Sequence, residues 1–170
     1  MALRADAARN RAAILAAASE TFAEHGPKAT TEQVAQQAGV AIGTVFRHFP
    51  TKDDLLVAIM KESLERLAAL ADQSTLAAFF GAVVEEAVRT RMVVMALGEP
   101  RLDIGDALRG LTDSVGRLLE QAKAAGEVRS TVQVDEVMAL LTAATYAAQQ
   151  SSWTTDLQQR TLAVILQGLR

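Results

Sequence analysis

Cysteine is missing from all 170 residues, which removes disulfides, thiol catalysis and cysteine-based zinc sites from consideration. Aromatics are scarce at 4%, so a core drawn from a 50% apolar share must be filled by alanine, leucine and valine, a composition that suits closely packed helices. No apolar run of about 18 residues escapes charge for long enough to span a bilayer. The opening MALRADAARNRAAIL has neither an apolar h-region nor a cleavage site, so the chain is expected in the cytoplasm, with no membrane partner. Only two histidines occur, both towards the N-terminal end, and there is no glycine-rich phosphate loop and no His-x-x-x-His or Glu-x-x-His spacing. An enzyme, a cofactor and a metal site are therefore not expected.

What is present is unevenly distributed. The net charge of −3 argues by itself against a nucleic-acid partner, but residues 1–52 carry six basic against four acidic side chains and the remainder eleven against sixteen. The two ends have different characters, and the basic one permits contact with a polyanion.

Apolar Ile14, Leu15, Ala18 and Phe22 recur at helical spacing over residues 6–25, where Gly26-Pro27 stops the helix. Thr30 followed by Gln33 is a capping-box pattern that opens a second helix of about two turns, with Val34, Ala35 and Ala38 as its buried stripe and Gly39 as its end. Ile42–Phe49 has room for another two-turn helix, Val45 and Phe49 on one face and Thr44, Arg47 and His48 elsewhere, closed by Pro50. Thr51 then caps TKDDLLVAIMKESLERLAALA, whose first turn holds Asp53 and Asp54 where the helix dipole favours negative charge. Two short helices joined by a glycine-containing turn are the helix-turn-helix unit, whose second helix enters the major groove of DNA. Tight helical corners with glycine also occur in proteins that never touch DNA, so spacing alone leaves both readings open.

The pattern Thr-x-x-x-Val-Ala-x-x-Ala-Gly-Val-x-x-Gly-Thr-Val-Phe-x-His-Phe-Pro-x-Lys-x-x-Leu, centred on AGVAIGTVFRHFPTKDDLL at 38–56, resembles the DNA-binding domain of TetR-family transcriptional regulators. The resemblance covers residues 8 to about 60. The C-terminal half is similar only loosely, chiefly in LLEQAKAAGEVRSTVQVDEVMALL. It implies an all-α protein: a three- to four-helix helix-turn-helix domain, placed here at 1–50, and a helical dimerisation and effector domain at 51–170. It further implies a repressor that binds a palindromic double-stranded DNA operator as a homodimer and is released by a small-molecule effector of unknown identity. Carried over by position, it puts Thr30 and Thr31 against a phosphate and Ala41, Ile42, Gly43 and Thr44 at the start of the recognition helix. Phe46, Arg47, His48 and Lys52 fall at the backbone and groove edge. Two departures stand out. Ala41 replaces the usual Ser or Thr cap, at a cost of roughly 1 kcal/mol, and Phe46 lacks the hydroxyl of a phosphate-binding tyrosine, which frees it for the core and leaves the phosphate to Arg47. Arg47 is also the one side chain on this helix able to pair bidentately with guanine; the alternative for it is a solvated charge. For His48 the alternative is packing beside Pro50. Arg4, Arg9 and Arg11 are either an arm reaching a neighbouring groove or, for Arg4 above all, a frayed end. A helical ligand-binding or adaptor protein without specific DNA binding is the competing function, motivated by Ala41, Phe46 and the acidic balance.

The remaining chain reads as four more helices. Residues 75–97 are apolar nearly all round and are expected to be central, followed by breakers in LGEPRLDIG. Leu108, Leu111, Val115, Leu118 and Ala122 form the next stripe, ended by Gly126; helices at about 134–150 and 156–169 flank SSWTTD. An effector cavity is expected among Phe79, Phe80, Val83, Met92, Met95, Leu111 and Val115, the alternative for each being plain core. Glu85, Glu86, Arg89 and Arg91 read as a wet face, the alternative being recognition of a charged ligand if they are buried. The surplus of apolar faces suggests that the last two helices are shared with a partner chain, with Leu140, Leu141, Leu162, Ile165 and Leu166 as the seam.

Overall fold

A computed structural model describes residues 2–97, 103–151 and 153–170. Among them the chain forms eight α-helices and no strand: α1 Ala2–His25, α2 Thr31–Gln37, α3 Ile42–His48, α4 Lys52–Ala71, α5 Leu76–Leu97, α6 Gly105–Ala124, α7 Val134–Gln150 and α8 Thr155–Leu169, with a 3₁₀ turn at Gly26–Lys28 between α1 and α2. No described helix is long and apolar enough to cross a membrane. The first helix begins four residues earlier than its apolar spacing suggests. The breakers expected after Leu97 and the Arg4 side chain fall largely outside the described residues.

The helix ends follow from capping chemistry. Gly39 adopts φ +66°, which lets Val40 N donate to Ala35 O (3.0 Å) and Gly39 N to Gln36 O (3.2 Å), closing α2 with the paired bonds of a Schellman turn. Gly126 at φ +72° closes α6 the same way, through Glu127 N to Ala122 O and Gly126 N to Lys123 O. Thr30 accepts from Gln33 N while Gln33 returns a bond to Thr30 N, completing the capping box at α2. At α4 the same reciprocity joins Thr51 and Asp54.

The chain divides into two compact units, and the division differs from the boundary expected at residue 50. The first unit takes residues 1–62 and 90–104, the second 63–89 and 105–170. The reason lies in the core of the first unit, where Leu55, Leu56, Ala58 and Ile59 of α4 and Val93 of α5 join Ile14, Phe22, Val34, Val45 and Phe49. The first half of α4 is thus as much a part of the helix-turn-helix fold as α1. Within the second unit, Phe79, Phe80 and Val84 of α5 pack with Leu111, Val115, Leu118 and Leu119 of α6 and with Val137, Leu141, Ala144 and Leu162 of α7 and α8. Helix α5 is not buried all round: Val88 and Met95 are exposed, as is Leu108 at the start of α6.

Candidate nucleic-acid interface

Helix α3 is seven residues long, and its presentation is set by what it buries. Val45 is fully buried and Phe49, its C-cap, nearly so. These positions, four apart, occupy the inward face, so residues one position round the helix must turn outward. Ile42, Gly43, Phe46 and Arg47 are exposed, Ile42 by 36% and Phe46 by 44%. The expectation that Phe46 is free to enter the core is therefore corrected: the inward face is already taken. Ala41 starts α3 with extended backbone and no side-chain cap; Thr44 N donates to Ala41 O at 2.8 Å. Thr44 is half-buried. Arg47 stands exposed without an ion-pair partner among the described residues. His48 is half-buried with its ring 6.2 Å from that of Phe49, and Pro50 is exposed.

At the start of α2 the first-turn amides of Thr31 and Glu32 have no acceptor within the helix, but the Thr30 amide is already spent on Gln33. Glu32 places a carboxylate in the same turn, 3.5 Å from the Thr31 hydroxyl. Lys52, expected at the groove edge, is bonded to the protein's own backbone. Its ammonium donates to Pro27 O (2.9 Å) and Ala29 O (2.8 Å) and lies 5.2 Å over the ring of Phe22. Two cations of the first helix are also engaged: Arg9 pairs with Asp6, and the Arg11 guanidinium sits 5.4 Å over the Phe49 ring. The structure thus brings Ile42, Gly43, Phe46 and Arg47 onto one outward surface, with Thr30 and Thr31 exposed or half-buried at the neighbouring helix start.

Of the seven residues expected at an effector cavity, five meet in one core and two are not part of it. Phe79, Phe80, Val83, Leu111 and Val115 are packed in the core of the second unit; Met92 belongs to the first unit, where it lies against Gly26, and Met95 is exposed. The residues expected at a seam lie towards the chain's own core. Leu141 and Leu162 are buried within the chain's own core, while Leu140, Ile165 and Leu166 pack partly against it. The outward positions are instead Ala139, Ala143 and Tyr146 on α7 and Leu157 and Val164 on α8, with Tyr146 65% and Val164 71% exposed.

One concave feature of the second unit escaped the sequence reading. A groove of about 650 Å³ runs between α4 and α5, lined by apolar Leu67, Ala69, Leu70 and Ala82 and by Arg66, Gln73, Glu85, Glu86 and Arg89. Glu86 is no wet-face residue: its side chain is only 11% exposed, and it accepts hydrogen bonds from Ser63, Arg66 and Arg89. Burial pushes its carboxyl up, but the bonds from Ser63 and Arg89 and the charges of Arg89 and Arg66 outweigh that and hold it below the ordinary glutamate range.

A family model described as bacterial regulatory proteins of the tetR family matches residues 14–59, and one described as the C-terminal domain of SbtR-like transcriptional regulators matches residues 71–170. The second match extends over the half that resembled the family only loosely. A TetR transcription regulatory protein from Mycobacterium vanbaalenii has the same fold (TM-score 0.72, 36% identity) over 99% of both chains. The TetR transcriptional regulator SCO0520 from Streptomyces coelicolor does so at TM-score 0.74 and 28% identity, covering 94% of this chain and 98% of that one. Among curated proteins, the HTH-type transcriptional repressor AcnR of Corynebacterium glutamicum is 31% identical over 64% of this chain, and the HTH-type transcriptional repressor Rv1474c of Mycobacterium tuberculosis 41% identical over 41% of it. The chain spans 54% and 37% of the lengths of these two relatives.

The Glu86 cluster predicts a pH-dependent stability. A carboxyl whose folded pKa is lowered stabilises the fold fully above the unfolded glutamate value, about 4.3, and loses that contribution as pH falls through the folded value. Glu86→Gln should therefore be less stable than the parent at pH 7, by roughly 1–3 kcal/mol in urea unfolding, and the gap should close as pH falls below the unfolded value. A gap that stays constant with pH would show that the ionised carboxylate is not its source.

Proposed function

The chain belongs to the TetR family of bacterial transcriptional regulators, and from that premise we propose that it represses transcription by binding a palindromic DNA operator as a homodimer and leaves it when a small molecule binds. The observation that carries this reading is the outward face of α3: a short helix held by Val45 and Phe49, presenting Ile42, Gly43, Phe46 and Arg47 with no covering element among the described residues. Gly43 lets the backbone approach the duplex closely. Ile42 and Phe46 offer apolar contact to a thymine methyl, and Arg47 offers a bidentate pair to guanine or a phosphate contact. The first turn of α2 adds amides and hydroxyls to a phosphate. With so few base-reading groups, most of the affinity is electrostatic and shape-dependent.

One such helix reads only a few base pairs, so two must act together about 34 Å apart. The outward stripes Ala139–Ala143–Tyr146 and Leu157–Val164 support a seam between chains: their alanines permit close approach and their large apolar groups have no cover in one chain. The small molecule has room in the groove beside Glu86. Helix α4 contributes Leu55, Leu56 and Ile59 to one core and Leu67 and Ala71 to the other, and is therefore the element through which occupancy is felt. A coupling of about 1 to 3 kcal/mol is typical of such linkage. Titrating compounds into the protein–DNA complex tests it: if every compound that binds the protein leaves operator affinity unchanged, regulation by release is wrong.

DNA binding is tested first by gel shift with fragments flanking the chain's own gene. Arg47 is the cationic contact of this surface, and one neutralised phosphate per subunit gives a log–log salt slope near about −2 for a dimer; affinity that does not change with salt contradicts groove docking. Arg47→Ala should cost roughly 1–3 kcal/mol per half-site, whereas unchanged affinity would assign Arg47 to solvent. Tyr146→Glu combined with Val164→Glu places unpaired carboxylates in the proposed seam, where burial costs several kcal/mol. The double variant should remain helical, sediment as a monomer and lose specific binding; a dimer that keeps its operator would put the seam elsewhere.

A further inference from the structure

Lys52 is the first residue of α4, where the positive end of the helix dipole disfavours a cation. Its charge is directed away from that end. The ammonium donates to Pro27 O at 2.9 Å and Ala29 O at 2.8 Å, carbonyls at the end of the 3₁₀ turn Gly26–Lys28, and its approach over the Phe22 face adds a cation–π contact at 5.2 Å. The turn's other described bond, Ala29 N to Gly26 O, leaves both of these carbonyls to Lys52. Ala29 is buried, and the next residue is Thr30, the N-cap of α2. On the other side, Lys52 follows Phe49, the C-cap of α3, by three residues, and the reciprocal bonds of Thr51 and Asp54 fix the start of its own helix. A single side chain therefore ties the α3–α4 junction to the α1–α2 junction.

We infer that Lys52 is a positioning residue for DNA binding: its ammonium is a strut that sets the start of α2 relative to α3, and it is not itself a phosphate contact. The inference rests on the proposed DNA-binding function, since the strut matters only if α2 and α3 meet one duplex together. Two of the three ammonium donors are spent on backbone carbonyls, and a phosphate that drew the ammonium away from them would break bonds that hold the site in shape. The same lysine seen in sequence alone, just after the recognition helix, reads as one more neutralising charge.

The two roles separate by salt dependence. Lys52→Met keeps the aliphatic stem beside Phe22 and removes the donor. In the full chain, below its melting transition, this variant should bind the operator roughly tenfold or more weakly with the parent's log–log salt slope. A phosphate contact would instead make the dimer slope shallower by about 2; that result, or unchanged affinity, overturns the inference. In the variant free of DNA the Thr31 and Glu32 amide resonances should shift, and amides that stay put overturn it as well. If the variant does not fold, the parent protein still decides: the Lys52 ammonium nitrogen resonance should be the same with and without operator, and a scalar coupling from it to phosphorus would overturn the strut. Failure of the parent to bind any fragment specifically would instead defeat the functional reading, and the free-protein amide shifts would still report on the strut.

Discussion

A helix of seven residues does not persist in water on its own hydrogen bonds, because nucleation fixes several residues before propagation repays it. Helix α3 exists because Val45 and Phe49 are buried with Phe22, Val34, Leu55 and Leu56. The outward face depends on that anchorage in two ways. It fixes the rotation of the helix, which decides that Phe46 and Arg47 point out, and it takes the fully inward positions, Val45 and Phe49, leaving Phe46 and Arg47 outside the core. The surface is thereby left open to contact chemistry. Removing the Ser or Thr cap, as Ala41 does, is tolerable in such a helix because the tertiary burial and not the cap holds it.

The same dependence explains why the first unit extends beyond the helix-turn-helix sequence pattern. Three short or capped segments bury too little surface to stand alone. Leu55, Leu56 and Ile59 from α4 and Val93 from α5 complete the core. A helix that starts after Pro50 belongs by position to the next segment of sequence and by burial to the previous one.

Helix identities and most ends were legible because they are written in local chemistry: Thr30 with Gln33, Thr51 with Asp54, and glycine where φ turns positive at 26, 39 and 126. The inward positions of α3 were legible from a spacing of four. What depended on distant partners was not. Lys52 meets carbonyls 23 and 25 residues away, and no local pattern states that. Phe79, Phe80 and Val115 have the composition of a cavity wall, yet whether an apolar residue faces space or another side chain is decided by the helices brought against it. Leu141 and Leu162, expected at a seam, are buried in the chain's own core for the same reason. Glu86 did leave a signal: Val83, Glu86, Ala87 and Thr90 share one helical stripe, and a carboxylate within a buried stripe requires partners. Arg89 supplies one from the same helix, and Arg66 and Ser63 supply the others from α4.

The net charge of −3 is less of an obstacle to a polyanionic partner than it looks, because of where the cations are spent. At the ionic strength of a cell, exposed charges more than about 8 Å apart are largely screened, so the summed charge of a chain does not set the field at one helix. Within the first unit Arg9 is paired with Asp6, Arg11 lies over Phe49 and Lys52 is bonded to backbone carbonyls. Arg47 remains the exposed cation of the outward face of α3, and Lys28 is exposed two residues before the N-cap of α2. An interface with few uncommitted charges draws less affinity from counterion release, and its discrimination then rests on how accurately α2 and α3 are held to the spacing of the duplex. Rigidity of the scaffold thus takes the place that a dense set of cations has in a strongly basic binder, and it makes the fully buried Phe22 and Val45, which touch no partner, as consequential for recognition as the residues on the surface.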